Sequence, residues 1–235
     1  MSESTINKAI RAYGGEACWK KAKRIEAEIS VRGLAFTLKQ RPFFEHALVQ
    51  MEIARPVSSI IPIGRDPSIR GRLDSEDVWL EDVSGKVLET RNSIRRYFPF
   101  GKHAFRWDDL EMSYFANYAM WNYLTLPSLL MNEEILWSET EQGIVKAVFP
   151  TSIPTHSKNQ EFRFDKDTGL LCEHLYTVDI IGRYARATHT ILAHNEDTGL
   201  IYPSRRKVTP QTPWRTALPG PILIDIEIHR FRLIC

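Results

Sequence analysis

The sequence predicts a mainly β protein with a strongly curved antiparallel meander sheet of about ten strands. Extended segments alternate with short glycine-containing turns almost to the C-terminus, a pattern typical of consecutive hairpins. A sheet of that size must curl, so we expect a half-barrel. One apolar helical segment, Trp107–Met131, interrupts the series. We expect it to plug the concave side, because a helix that is apolar on most sides must be covered.

The N-terminal residues predict a helix that begins after a cap at Ser4 or Thr5 and stops at Gly14-Gly15. A second helical turn is expected over Glu16–Lys21.

The chain then becomes extended. Apolar residues alternate with polar ones from Ile25 to Val31, which predicts a half-buried strand. Gly33 permits a turn or bulge, after which a second strand over Ala35–Gln40 and a third over Phe44–Ile53 are expected.

Explicit hairpins follow from Arg70 onward. Four turns are closed by Gly85, Gly143, Gly169 and Gly199, each between two extended segments. The chain ends in a long strand, Ile222–Ile234. Short turns pair sequential strands, which favours a meander.

The central helix has its own start and stop signals. Asp108 can cap it, with Glu111 three residues later as in a capping box, and Pro127 ends or kinks it. One apolar stripe has helical spacing, and three aromatic residues widen it. The stripe is Met112, Phe115, Ala116, Ala119, Met120 and Tyr123, and the widening residues are Tyr114, Tyr118 and Trp121.

Composition indicates one domain, residues 1–235, because no linker or composition shift divides the chain. The 235 residues are 43% hydrophobic, enough for a sizeable core, and the net charge is only +2. That charge gives no argument for nucleic acid as a partner. We interpret the pair Arg205-Arg206 and the cluster of Arg91, Arg95 and Arg96 as solvated strand ends. The sequence leaves the oligomeric state open.

The cysteines predict a reducing compartment. Cys18, Cys172 and Cys235 are odd in number and widely spaced, so we expect free thiols. The first residues are polar, without the apolar stretch of a signal peptide, and no run approaches a membrane span. A cytoplasmic protein without an integral membrane segment is expected.

Two local motifs strengthen a resemblance in topology. They are Ala12-Tyr13-Gly14-Gly15 with Trp19 before the first strand, and the hairpin Phe164–Leu170. With one starting helix, a long meander and a mid-chain helical insert, the chain resembles the outer-membrane lipoprotein carrier (LolA-like) superfamily. The resemblance implies an unclosed barrel whose helices plug the mouth of an apolar pocket for acyl chains. Those carriers are exported or lipid-anchored, and this chain shows neither a leader nor a lipobox cysteine, so lipoprotein traffic itself is not expected.

Standard catalytic and cofactor motifs are missing from the sequence. It contains no GxGxxG, GxxxxGK[ST], HExxH or GxSxG pattern, and its seven histidines lack close metal-ligand spacing. We therefore predict no cofactor and no metal.

Strand parity selects a candidate ligand-binding site. His174 and Tyr176 share one face of their strand, and His189 shares a face with small alanines on the next. If these faces pair, the three side chains look into one concavity, with His156 near its rim. Tyr118 and Trp121 of the helix are added as aromatic lining. Histidine and tyrosine are also the usual acid–base carriers, although buried polar core residues would show the same pattern.

The leading hypothesis is that a lipid-like apolar or amphipathic small molecule binds in the concavity. The first alternative is a cofactor-independent enzyme, such as a cyclase, isomerase or hydrolase, that uses the same histidines and tyrosines. The second is a structural or partner-binding protein without a pocket.

Overall fold

A computed structural model of the chain describes residues 3–98 and 101–235. Thirteen strands of these residues form one antiparallel sheet. They are β1 (Arg24–Arg32), β2 (Phe44–Glu52), β3 (Val57–Ile61), β4 (Arg70–Asp74), β5 (Asp77–Glu81), β6 (Val87–Arg91), β7 (Leu136–Glu141), β8 (Ile144–Val148), β9 (Asn159–Phe164), β10 (Leu171–Thr177), β11 (Arg186–Asp197), β12 (Leu200–Pro210) and β13 (Ile224–Ile234).

Five α-helices of the described residues accompany the sheet. They are α1 (Thr5–Ala12), α2 (Glu16–Lys21), α3 (Leu34–Leu38), α4 (Asp109–Leu124) and α5 (Leu126–Leu129), with short 3₁₀ turns at Ile94–Tyr97 and Gly101–Ala104. Ser4 caps α1 as predicted, since its hydroxyl accepts a hydrogen bond from the Asn7 amide at 3.3 Å.

The sheet consists of two meanders joined in the middle. The chain starts at β1, runs outward strand by strand to β6 at one edge, and crosses through α4 to β7 at the other edge. It then returns strand by strand to β13, which pairs with β1. Within the described ranges no pairing joins β6 to β7, so the curved sheet stays open. The predicted half-barrel is confirmed, with thirteen strands in place of about ten.

Two predicted elements differ in the structure. Ala35–Gln40 was expected as a strand, but the chain forms α3 there. Gly33 has φ 135°, and a side chain on it would collide with the backbone of Leu223, so the chain leaves the sheet at this point. The helical segment Trp107–Met131 is two helices, because Thr125 ends α4 before α5 begins.

Helix α4 packs on the half of the sheet that contains β3, β4 and β5. Its capping box is formed as predicted: Asp108 accepts from the Glu111 amide at 2.9 Å, and Glu111 accepts from the Asp108 amide at 2.8 Å. Asn117 donates to the Gly71 carbonyl in β4 at 3.3 Å. A Cβ on Gly71 would collide with Ser113, so glycine permits this close approach. The opposite side of α4 faces the strands around β13.

Candidate functional site

An apolar cavity of about 650 Å³ lies between α4 and the central strands of the sheet, from β10 through β13 to β1 and β2. Its helix wall is the apolar stripe that the helical spacing predicted: Met112, Phe115, Ala116, Ala119, Met120 and Tyr123. The sheet wall includes Val31, Ala187, Val208 and Ile226, which are all buried. Small side chains on both walls, Ala116 and Ala119 on the helix and Ala187 on β11, leave the space open.

Exposed apolar side chains surround the opening of the cavity. Leu38, Phe105 and Tyr184 line it and are 60%, 78% and 80% exposed. Lys39 and Arg186 lie in the same wall. Among the described lining residues there is no aspartate or glutamate.

The inner end of the cavity is closed by a polar cluster. The Tyr123 hydroxyl lies 2.6 Å from His156 Nε2 and 2.9 Å from the Tyr176 hydroxyl. The Tyr118 hydroxyl lies 3.1 Å from His156 Nδ1. The His156 ring stacks on the Tyr176 ring, with centroids 4.1 Å apart and planes 7° from parallel. These contacts hold the Tyr176 side chain in place.

Three elements bring this cluster together. Tyr123 is in the last turn of α4, Tyr176 is on β10, and His156 is in the loop before β9. We expected His156 near the rim, but it is buried at the inner end. The reason is that its backbone is tied to the turn that follows β10: the Asp179 amide donates to its carbonyl at 3.0 Å.

Burial determines the charge state of the cluster. Burial, assisted by the positive charge of Arg95, lowers the pKa of His156 to about 3. Burial raises the pKa of Tyr123 and of Tyr176 above the usual value for tyrosine. The cluster is therefore neutral at pH 7.

His174 and His189 stand opposite each other on β10 and β11, as parity predicted. A bulge on β10 falls between Leu171 and Glu173, before His174, so it leaves the parity of His174 and Tyr176 unchanged. The two histidines lie behind Tyr123 and border a small void of about 10 Å³ rather than the main cavity. His174 Nε2 lies 2.5 Å from the Gln160 amide oxygen. Within the described part of the chain both ring nitrogens of His189 are buried without a hydrogen-bond partner.

Arg206 borders the same void, and our interpretation of it as a solvated strand end was wrong. Its side chain is fully buried, with its guanidinium 5.2 Å from the Tyr123 ring centre. Burial lowers its pKa to about 10. No carboxylate of the described residues pairs with it. Arg206 shares one face of β12 with Tyr202, Ser204 and Val208, which are all buried, whereas the neighbouring Arg205 is exposed. Strand parity therefore places Arg206 on the inner face.

Two other predicted site residues face away from the cavity. Trp121 donates its indole N–H to the Glu52 carbonyl at 2.7 Å, and Tyr118 is buried behind His156. Of the six predicted residues, His156 and Tyr176 line the cavity. Sequence reasoning missed Tyr123 as a site residue, although its place in the apolar stripe was the signal that marked it.

Three further findings concern metal ions, membranes and cysteines. In residues 3–98 and 101–235, no group of three or more histidine, cysteine or acidic side chains is placed to hold a metal ion. No helix in those ranges is long and apolar enough to cross a bilayer. The three cysteines are unpaired, and all three are exposed.

Solved structures share this fold over nearly the whole chain. A LolA superfamily protein from Nitrosomonas europaea superposes with a TM-score of 0.52 at 10% identity, covering 98% of this chain and 92% of that one. An outer membrane lipoprotein-sorting protein domain from Vibrio parahaemolyticus superposes with a TM-score of 0.50 at 12% identity, covering 97% and 90%. No protein-family model and no curated protein matches the chain. The chain therefore has the LolA-like fold that the resemblance predicted, and its function must be argued from its own residues.

Proposed function

We propose that the protein binds one lipid-like small molecule, with its apolar chain inside the cavity between α4 and the sheet. The observation that carries this proposal is the cavity of about 650 Å³ with apolar walls. Its size is within the range of about 300–1,000 Å³ that is common for small-molecule sites. The few polar groups at the inner end would fix the orientation of the ligand.

The energetics favour ligands with long chains. Each buried methylene contributes about 0.8 kcal/mol, so about twelve of them contribute about 10 kcal/mol before the cost of immobilising the ligand. The Vibrio parahaemolyticus structure is named for lipoprotein sorting, and a cargo with acyl chains fits the same architecture. For this chain, free exposed cysteines favour a reducing compartment, so a cytoplasmic location is part of the proposal.

One observation favours a second candidate, a cofactor-independent enzyme. His156 lies within hydrogen-bond reach of Tyr123, so two titratable groups are paired at the cavity end. Binding is nevertheless better supported. Both ring nitrogens of His156 already contact tyrosine hydroxyls, and with a pKa of about 3 the ring is a weak base at pH 7. No carboxylate of the described lining residues is available in its place.

A neutral hydrophobic probe tests the proposal. N-phenyl-1-naphthylamine gains fluorescence in apolar sites, and we expect it to bind saturably, with one molecule per chain. Long-chain lipids added in turn should displace it. Native mass spectrometry of protein purified from its own host should then show a retained adduct. A probe signal that never saturates, or that also occurs with the urea-unfolded chain, would contradict the proposal.

A further inference from the structure

The polar cluster at the inner end of the cavity has one more polar hydrogen than it has hydrogen bonds between its members. It contains three tyrosine hydroxyls and one neutral imidazole, from Tyr118, Tyr123, Tyr176 and His156. These groups carry four polar hydrogens in total. They share three contacts: Tyr118 with His156, His156 with Tyr123, and Tyr123 with Tyr176. One hydrogen is therefore left over, and the tautomer of His156 decides which group holds it.

In the first tautomer His156 is protonated at Nδ1. It donates to the Tyr118 oxygen, Tyr123 donates to Nε2, and Tyr176 donates to Tyr123. The spare hydrogen is then on Tyr118. That hydroxyl is fully buried, does not line the cavity, and has no other hydrogen-bond partner among the described residues. A buried donor without a partner is strongly disfavoured.

In the second tautomer His156 is protonated at Nε2. Tyr118 donates to Nδ1 and His156 donates to the Tyr123 oxygen. Tyr123 in turn donates to the Tyr176 oxygen, because a hydroxyl that accepts one hydrogen bond is polarised towards donating the next. The spare hydrogen is now on Tyr176, which lines the cavity. This arrangement leaves no donor of the cluster buried without a partner, so the second tautomer of His156 is favoured over the first.

We propose that Tyr176 donates a hydrogen bond to a carbonyl oxygen of the ligand, and that the ligand is a long-chain neutral carbonyl compound, a ketone or an ester, bound with its oxygen at the inner end. This deepens the proposed function and rests on it. A neutral acceptor is favoured over a carboxylate because the groups that line this end are neutral and burial of a charge is costly. The nearby cations Arg95 and Arg206 do not line the cavity. The stacked His156 ring holds the donor in position before the ligand arrives.

Matched ligands test this assignment. 2-Tridecanone and tridecane have the same chain, and they differ in one carbonyl oxygen. Each is titrated against the protein loaded with N-phenyl-1-naphthylamine. We expect the ketone to bind about five- to tenfold more tightly, the worth of one hydrogen bond. In Tyr176→Phe that preference should disappear or reverse, because a buried carbonyl without a donor costs free energy that the alkane does not pay. Tyr97→Phe, at an exposed tyrosine that does not line the cavity, is the control and should keep the preference of the wild type.

The outcomes separate the two proposals. If the ketone and the alkane displace the probe equally from the wild type, the Tyr176 assignment is wrong and the proposed function stands. If neither displaces it, the proposed function itself fails. A second measurement avoids mutation: infrared spectra of bound ketone labelled with ¹³C at the carbonyl. A carbonyl band below its position in hexane supports the hydrogen bond, and a band at the hexane position overturns it.

Discussion

Acid should destabilise this protein through His156, and the size of the effect follows from its burial. The ring is held by Tyr118, Tyr123 and Tyr176 and lies in the positive field of Arg95. Its folded-state pKa is about 3, against 6.5 for the unfolded chain. Between those values the unfolded chain binds more protons than the folded one. Stability is therefore complete above pH 6.5 and falls as the pH drops towards 3.

The magnitude at pH 5 is about 2 kcal/mol for this one group, from the ratio of the two proton-binding equilibria. At pH 7.5 the same expression gives a loss of stability close to zero. The assay is urea denaturation followed by tryptophan fluorescence, for wild type and His156→Gln, at pH 7.5 and pH 5. Glutamine keeps one donor and one acceptor but does not titrate. Other buried histidines lower the stability of both proteins at pH 5, so the difference between them isolates His156.

We expect the stability gap between wild type and His156→Gln to shrink by about 2 kcal/mol on acidification. Equal acid sensitivity of the two proteins would show that His156 takes up its proton without unfolding. The neutral cluster described above would then be wrong.

Three other predictions concern stability. Trp121→Ala should cost about 3–5 kcal/mol in the same assay, because it empties a fully buried site; a loss below about 1 kcal/mol would contradict the packing of α4. Arg206→Met should leave stability unchanged or raise it by up to about 3 kcal/mol, because it removes a buried charge without a carboxylate partner. The exposed neighbour Arg205→Met is the control, and a loss above about 1 kcal/mol for Arg206→Met alone would reveal a missed partner. The chain should unfold in one cooperative transition if residues 1–235 form a single domain, and two separated transitions in calorimetry would refute that prediction.

The sequence predicted the fold well because its signals were local. Glycine turns marked the hairpins, and the Asp108–Glu111 capping box marked the start of α4. The Ala35–Gln40 segment was misread because five or six residues are too few to separate a strand from a helical turn. The constraint that decided it, the close approach of Gly33 to Leu223, is not local.

The candidate site was predicted only in part. Parity correctly paired His174 with His189, but it could not say that Tyr123 separates them from the main cavity. That outcome depends on which side of α4 faces the cavity. Aromatic residues occur on several sides of this helix, so the sequence alone did not determine that side. Arg206 was wrongly predicted to be a solvated strand end, because that prediction considered its charge and not its position on the inner face of β12.

The most direct test of the central claim is to fill the cavity. Ala119 lines the helix wall and is buried, so Ala119→Phe places a ring in the space that the ligand needs. Ala193→Phe, on an exposed position of β11, is the matched control. Titration with N-phenyl-1-naphthylamine should show wild-type affinity for the control and at least a tenfold loss for Ala119→Phe, with both variants folded by circular dichroism. Undiminished binding by a folded Ala119→Phe protein would contradict a ligand site between α4 and the sheet.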